Sequence, residues 1–154
     1  MDSIEITKTI DAQPESVFRA LTDADELTRW WPTGAESDPR SGGAFEYRFE
    51  FSQEPERNHV YSGTYYEISP NRRLAYPWQG KLGETRVEVT VEPAHGGTEV
   101  RLVHSGLGDG EEWVEWRQLH LDGWSFFLDN LKAYLERGED RRADVLGMKV
   151  KAAV

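Results

Sequence analysis

The chain has 154 residues, enough for one domain with its own core, since a globular chain of this length buries about 70% of the surface its unfolded form exposes. It has no cysteine, which excludes disulfides, thiolate chemistry and cysteine-held metals and fits a cytoplasmic setting. Its formal net charge of −10, with basic residues dispersed among acids, argues against nucleic acid or an anionic membrane as the main partner.

The N-terminal MDSIEITKTID lacks a basic region followed by an apolar stretch, so no signal peptide is expected, and no window approaches the roughly 20 apolar residues of a membrane span. Residues 3–10 alternate, with Ile4, Ile6, Lys8 and Ile10 on one side, which predicts a strand. Pro14 then opens a short helix with Val17, Phe18 and Leu21 as its apolar stripe. Asp23 and Glu26 have capping-box spacing for a second short helix, which carries Leu27, Trp30 and Trp31 on one face and ends at Pro32.

After the PRSGG turn at 39–43, Phe45, Tyr47, Phe49 and Phe51 alternate with Glu46, Arg48 and Glu50, giving a strand with one aromatic and one wet face. Residues 59–68 read as a further strand, with Gly63 as a bulge or a point of close approach. Leu74, Tyr76 and Trp78 share a face, and Pro77 argues for an edge position or a kink. Val87, Val89 and Val91 face inward on the next strand. A turn at His95–Gly97 leads into another, with Val100, Leu102 and His104 inward. From residue 110 the period becomes helical: Trp113, Trp116, His120, Trp124, Phe127, Leu128, Leu131 and Leu135 recur at steps of three and four until Gly138. Asp109 and Glu112 have capping-box spacing at its start, and the helix is expected to be about 40 Å long. Residues 139–154 change character and are expected to be a tail: flexible, a small extra strand, or an oligomer contact.

This order resembles the SRPBCC (START-like) superfamily, and within it the branch related to the C-terminal domain of the activator of heat-shock-protein-90 ATPase. The resemblance rests on QPESVFRALTDADELTRWW (13–31), RSGGAF (40–45), GTYYEISPNRRLAYPW (63–78), GGTEVRLVHSG (96–106) and Gly123-Trp124 followed by FFLDNLKAYLERG (126–138). It implies an α+β helix-grip fold over residues 1–138. In that fold a curved antiparallel sheet of about six to seven strands wraps a long C-terminal helix, with two short helices after the first strand. It also implies a cavity between sheet and helix. Members of the superfamily bind apolar ligands, and a few are cyclases, aromatases or hydrolases.

The aromatic lining is the main functional hint. Phe45, Tyr47, Phe49, Tyr76 and Trp78 come from strands; Trp113, Trp116, Trp124 and Phe127 come from the helix. Ligand pockets are mostly apolar with a few orienting polar groups, although plain core packing leaves the same pattern. Trp30 and Trp31 are adjacent, so one is expected inward and the other at the cavity rim, as a gate or wall. His104 and His120 are the inward titratable residues and the best candidates for a ligand contact or a general base. No third inward metal ligand can be named, and no phosphate or dinucleotide loop is present, so neither metal nor cofactor is expected. Three readings follow: a binder of a small apolar molecule (lipid, polyketide or aromatic), an enzyme on the same scaffold using a cavity histidine, or a co-chaperone-like interaction protein, acting as monomer or homodimer.

Overall fold

A computed structural model describes residues 2–150; Met1 and the last four residues of the predicted tail, 151–154, lie outside the described residues. The order is β1 (Ile4–Ile10), α1 (Pro14–Thr22), α2 (Ala24–Leu27), β2 (Gly34–Ser37), β3 (Ala44–Phe49), β4 (His59–Thr64), β5 (Glu67–Ser69), β6 (Arg73–Gly80), β7 (Gly83–Ala94), β8 (Gly97–Ser105) and α3 (Glu111–Arg137). A 3-10 turn lies at Pro55–Arg57 and a π-helical turn at Arg142–Leu146.

The expected α+β helix-grip architecture is observed, with the curved antiparallel surface divided into two sheets. One has the order β1-β8-β7-β6-β5 and the other β2-β3-β4. Period-two burial explains the strands: Phe45, Tyr47 and Phe49 on β3, Val87, Val89 and Val91 on β7, and Val100, Leu102 and His104 on β8 are all buried. The β7–β8 hairpin turns through His95 (φ 50°) and Gly96 (φ 79°), the left-handed pair that a two-residue turn requires. Helix α3 packs on these faces through Trp124, Leu128 and Leu131, and Lys8 of β1 pairs with its Asp129 at 2.7 Å.

Four local readings are corrected. The stretch 59–68 is two strands, because the chain leaves the β3 ladder after Thr64 and rejoins the other sheet beside β6. A short strand, β2, pairs with β3 where only a connection was read. The second short helix ends at Leu27, so Trp30 and Trp31 sit in the turn that follows it. Asp23 does cap that helix, accepting from the Glu26 N–H at 3.1 Å, but the start of α3 is Gly110 with no side-chain cap, in place of the predicted Asp109 box.

Gly63 is a point of close approach. A Cβ there would lie 2.9 Å from Pro77 Cγ and 3.3 Å from the Phe45 ring. This is where β4 meets β6, and Pro77 lies on a stretch of β6 that β5 no longer covers. Gly63→Ala is expected to cost about 1–3 kcal/mol in a chemical-denaturation measurement, because proline ring, aromatic ring and backbone must all move.

Residues 139–150 fold back on the domain. Met148 is buried and bridges Phe51, and the Lys149 N–H donates to Glu50 O at 2.8 Å. Arg142 is 1% exposed. Its five N–H groups are all used: Nε and one Nη2 proton go to Asp140 (2.9 and 2.7 Å), Nη1 to Trp31 O and Pro32 O (3.1 and 2.9 Å), and the other Nη2 proton to Thr28 O (2.8 Å). Burial pushes the Asp140 carboxyl up, but hydrogen bonds from Arg142 and Asn130 outweigh it and hold it below the usual range.

Candidate functional site

Along the middle of α3, sheet and helix do not close on each other. A cavity of about 380 Å³ remains between them. Its walls are Trp31 from the turn after α2, Phe49 and Phe51 at the end of β3, His59 and Tyr61 of β4, and Trp78 of β6. Helix α3 contributes Leu119, His120, Gly123, Trp124, Phe126 and Phe127. Arg57 and Asp122 are at the mouth, and Leu146 of the C-terminal segment completes the wall. Trp31 is the hub of this lining: its ring lies 5.0 Å from Tyr47, 5.8 Å from Phe49, 5.9 Å from Trp78 and 5.2 Å from Trp124.

Gly123 lines the cavity from the helix side and leaves open space there. A Cβ at this position would meet nothing within 4 Å. Glycine inside a helix costs about 1 kcal/mol relative to alanine, and here no packing contact offsets it.

His104 and His120 stand beside each other as the sequence suggested, ring centroids 5.9 Å apart, but their surroundings differ. His104 is fully buried. The Trp124 indole N–H can only donate, so at 3.0 Å it makes His104 Nδ1 the acceptor. The ring proton is then on Nε2, which donates to Thr85 Oγ1 at 2.7 Å, and the Thr85 hydroxyl donates on to Trp78 O at 3.2 Å. Burial, reinforced by His120, pushes its pKa down to about 3. His104 is therefore a neutral group committed at both nitrogens, and it fixes two cavity-wall tryptophans.

His120 is the reverse case. Its Nδ1 lies 2.9 Å from Trp116 O; a carbonyl only accepts, so Nδ1 carries the proton. The ring stacks on Trp116 at 3.7 Å and 17°. Nε2 is left as a lone-pair acceptor, with no donor to it among the described residues. Burial holds its pKa below the ordinary value, against the opposing effect of the Trp116 carbonyl, and His59 lowers it further. Trp78 Nε1–H, also on this wall, is buried without a hydrogen bond, its ring covered by Tyr61 at 3.8 Å.

Of the residues singled out in the sequence, Trp31, Phe49, Trp78, His120, Trp124 and Phe127 meet at this cavity. The others lie elsewhere. Trp30 is as buried as Trp31, which corrects the expectation of one tryptophan at the rim: the two rings stack at 5.6 Å and 23°, and Trp30 Nε1 donates to Ala20 O at 2.7 Å. They both point inward because they sit in a turn, where the helical 100° offset no longer applies. Phe45, Tyr47 and Tyr76 form a packed aromatic cluster at the closed end. There the hydroxyls run Tyr47 to Tyr65 (2.6 Å), Tyr65 to Ser37 (2.7 Å) and Ser37 to Thr22 O (2.6 Å). His104 lies behind the wall. Trp116 backs His120, and Trp113 packs over the Gly108 loop.

Sequence reasoning missed His59 and Tyr61, although period two on β4 gives them one shared face. It also left Phe51 out of the site, where it continues the Phe45–Phe49 alternation. Leu146 had no signal, since nothing in the sequence shows that the C-terminal segment returns to β3. Among the described residues no cluster of three potential ligands could hold a metal, and no helix is long and apolar enough to cross a membrane.

Comparison with known proteins bears on this architecture. No curated protein matches the chain. Among solved structures it is similar to protein CV1439 from Chromobacterium violaceum, with 26% identity and a TM-score of 0.75 over 88% of this chain and 99% of that one. CalU16 from Micromonospora echinospora is 26% identical, with a TM-score of 0.69 over 87% of this chain and 74% of that one. The Aha1 dimer from Colwellia psychrerythraea shares the fold at 24% identity and a TM-score of 0.73, over 90% of this chain and 99% of that one. The model of the family "Activator of Hsp90 ATPase homolog 1-like protein" matches residues 11–136, from the end of β1 almost to the end of α3, and the chain belongs to that family.

Proposed function

We propose that the protein binds a small, largely apolar molecule with an aromatic part in the cavity between β3, β4, β6 and α3. The observation that carries this reading is a cavity of about 380 Å³ lined mainly by aromatic rings, with open space beside a mid-helix glycine. That volume falls in the usual range for small-molecule sites, about 300–1,000 Å³. A core meant only to be filled would gain stability from any larger residue at 123. Some proteins of the same fold support the reading: DynU16, of which this chain spans about half, is a putative protein of the dynemicin biosynthetic locus. If a bound molecule is turned over, His120 is the one of the two inward histidines able to take a proton, because both nitrogens of His104 are engaged.

Two measurements test it. Native mass spectrometry of freshly purified protein, followed by solvent extraction, is expected to reveal a copurified apolar molecule or an empty cavity that takes up Nile red. Gly123→Leu is expected to weaken dye binding at least tenfold while leaving the melting temperature equal or higher, because leucine fills the cavity and favours the helix. Equal dye binding by both proteins, or no uptake by the wild type and a clean apo mass, would overturn the proposal.

A further inference from the structure

We infer that the cavity selects a neutral aromatic alcohol of the phenol class, whose O–H donates to His120 Nε2; the inference rests on the binding reading above. Both imidazoles that line the cavity have Nδ1 tied to a backbone carbonyl: His120 to Trp116 O at 2.9 Å and His59 to Arg57 O at 2.8 Å. In its neutral form each is thereby fixed as the tautomer whose Nε2 accepts. Each is also held flat against a neighbouring ring, His120 on Trp116 at 3.7 Å and His59 on Phe49 at 4.8 Å. Neither can turn its N–H toward a ligand without losing both contacts. The cavity therefore offers acceptors from opposite walls, one on α3 and one on β4.

Donors line it too: Trp78 Nε1–H, the Arg57 guanidinium and the Tyr61 hydroxyl, the last able to accept as well. Trp78 Nε1–H is covered by Tyr61. Arg57 lies at the mouth, paired with Glu54 at 3.1 Å and placed over the Phe51 ring at 4.2 Å. The other charged group of the lining is the Asp122 carboxylate. A carboxylate ligand would bring its charge among aromatic rings and lone pairs and close to a like charge, whereas an O–H group finds its partner. Because desolvation disfavours the imidazolium at His120, that acceptor persists at neutral pH. The tilted and edge-on rings of Trp31, Phe49, Trp124 and Phe127 offer both faces and edges to a planar aromatic body.

The test compares 2-naphthol, 2-methoxynaphthalene and 2-naphthoate by calorimetric titration of the wild-type protein and of His120→Phe. The methoxy compound keeps the ring and the oxygen and removes only the donated proton. Expected is at least tenfold tighter binding of 2-naphthol than of 2-methoxynaphthalene, with 2-naphthoate weakest. In His120→Phe the first two are expected to bind alike. In the wild type, the ¹⁵N resonance of His120 Nε2 should also move on adding 2-naphthol and stay in place on adding 2-methoxynaphthalene; this readout does not depend on the variant. Equal binding of 2-naphthol and 2-methoxynaphthalene by the wild type, or a preference that survives in His120→Phe, overturns the phenol assignment and leaves the cavity reading standing. Tightest binding of 2-naphthoate overturns it in favour of an anion at Arg57. Binding of none of the three overturns the phenol assignment, and Nile red uptake by the same sample then decides whether the cavity reading stands.

Discussion

Arg142→Met is expected to lower the unfolding free energy by about 3–5 kcal/mol, because it leaves three carbonyls of a buried turn without their donor, at about 1–3 kcal/mol each. For a domain of this size that corresponds to a fall of roughly 10 °C or more in melting temperature. The reason is the number of groups left without a partner. Arg142 donates to three carbonyls of the turn between α2 and β2, at Thr28, Trp31 and Pro32, and forks onto Asp140. Asn130 of α3 takes a fourth, donating to Trp30 O at 2.8 Å. Two side chains thus hold four carbonyls of the turn that carries the Trp30–Trp31 stack. Arg142→Lys should recover only a minor part of the loss, since an ammonium has three donors and no planar fork. Thermal melting and near-ultraviolet circular dichroism check this: the variant should lose tryptophan dichroism at temperatures where the far-ultraviolet signal persists, because the turn loosens before the sheets. A loss below about 1 kcal/mol, with the tryptophan signal intact, would show that the C-terminal segment is not what holds the turn.

This dependence explains which parts of the molecule could be read from the sequence. Strands β3, β7 and β8 and helix α3 were legible because each buries one face at its own period, so Phe45–Phe49, Val87–Val91 and Trp116–Leu131 carry their geometry in their spacing. Trp30 and Trp31 were not, because their direction is set by Arg142 and Asn130, 111 and 100 residues away. The two histidines show the same limit. Their inward positions follow from periodicity, but which of them keeps a free nitrogen depends on partners no spacing rule connects: Trp124 and Thr85 for one, the carbonyl one turn back for the other. The boundary between packed core and cavity was also invisible. Phe45, Tyr47 and Tyr76 look no different in sequence from Phe49 and Trp78, yet the former pack against Tyr65 at the closed end while the latter face the gap opposite Gly123.

The stability of the fold is expected to fall in acid with a component that belongs to His104 alone. Its pKa is about 3 in the folded protein against an ordinary 6.5. The unfolded chain therefore binds a proton between these values and the folded one does not. The contribution is complete above about pH 6.5 and is lost progressively as the pH falls toward 3. At about pH 4.5 the linkage amounts to roughly 2–3 kcal/mol. Desolvation is the main cause, with His120 adding to it. The geometry explains why the site does not relax: a proton on Nδ1 would face the Trp124 N–H, donor against donor, with no space to turn the ring between Trp78 and Trp116. His104→Asn keeps an acceptor for Trp124 and cannot take up a proton. It is expected to be about 1–3 kcal/mol less stable than the wild type near pH 7.5. That gap should close by about 2–3 kcal/mol near pH 4.5, because the carboxylates and His120 titrate alike in both proteins and cancel in the difference. Urea titrations at the two pH values measure it directly. A gap that does not change with pH would mean that folded His104 accepts the proton, and Trp124 would then have to leave the cavity wall whenever it does.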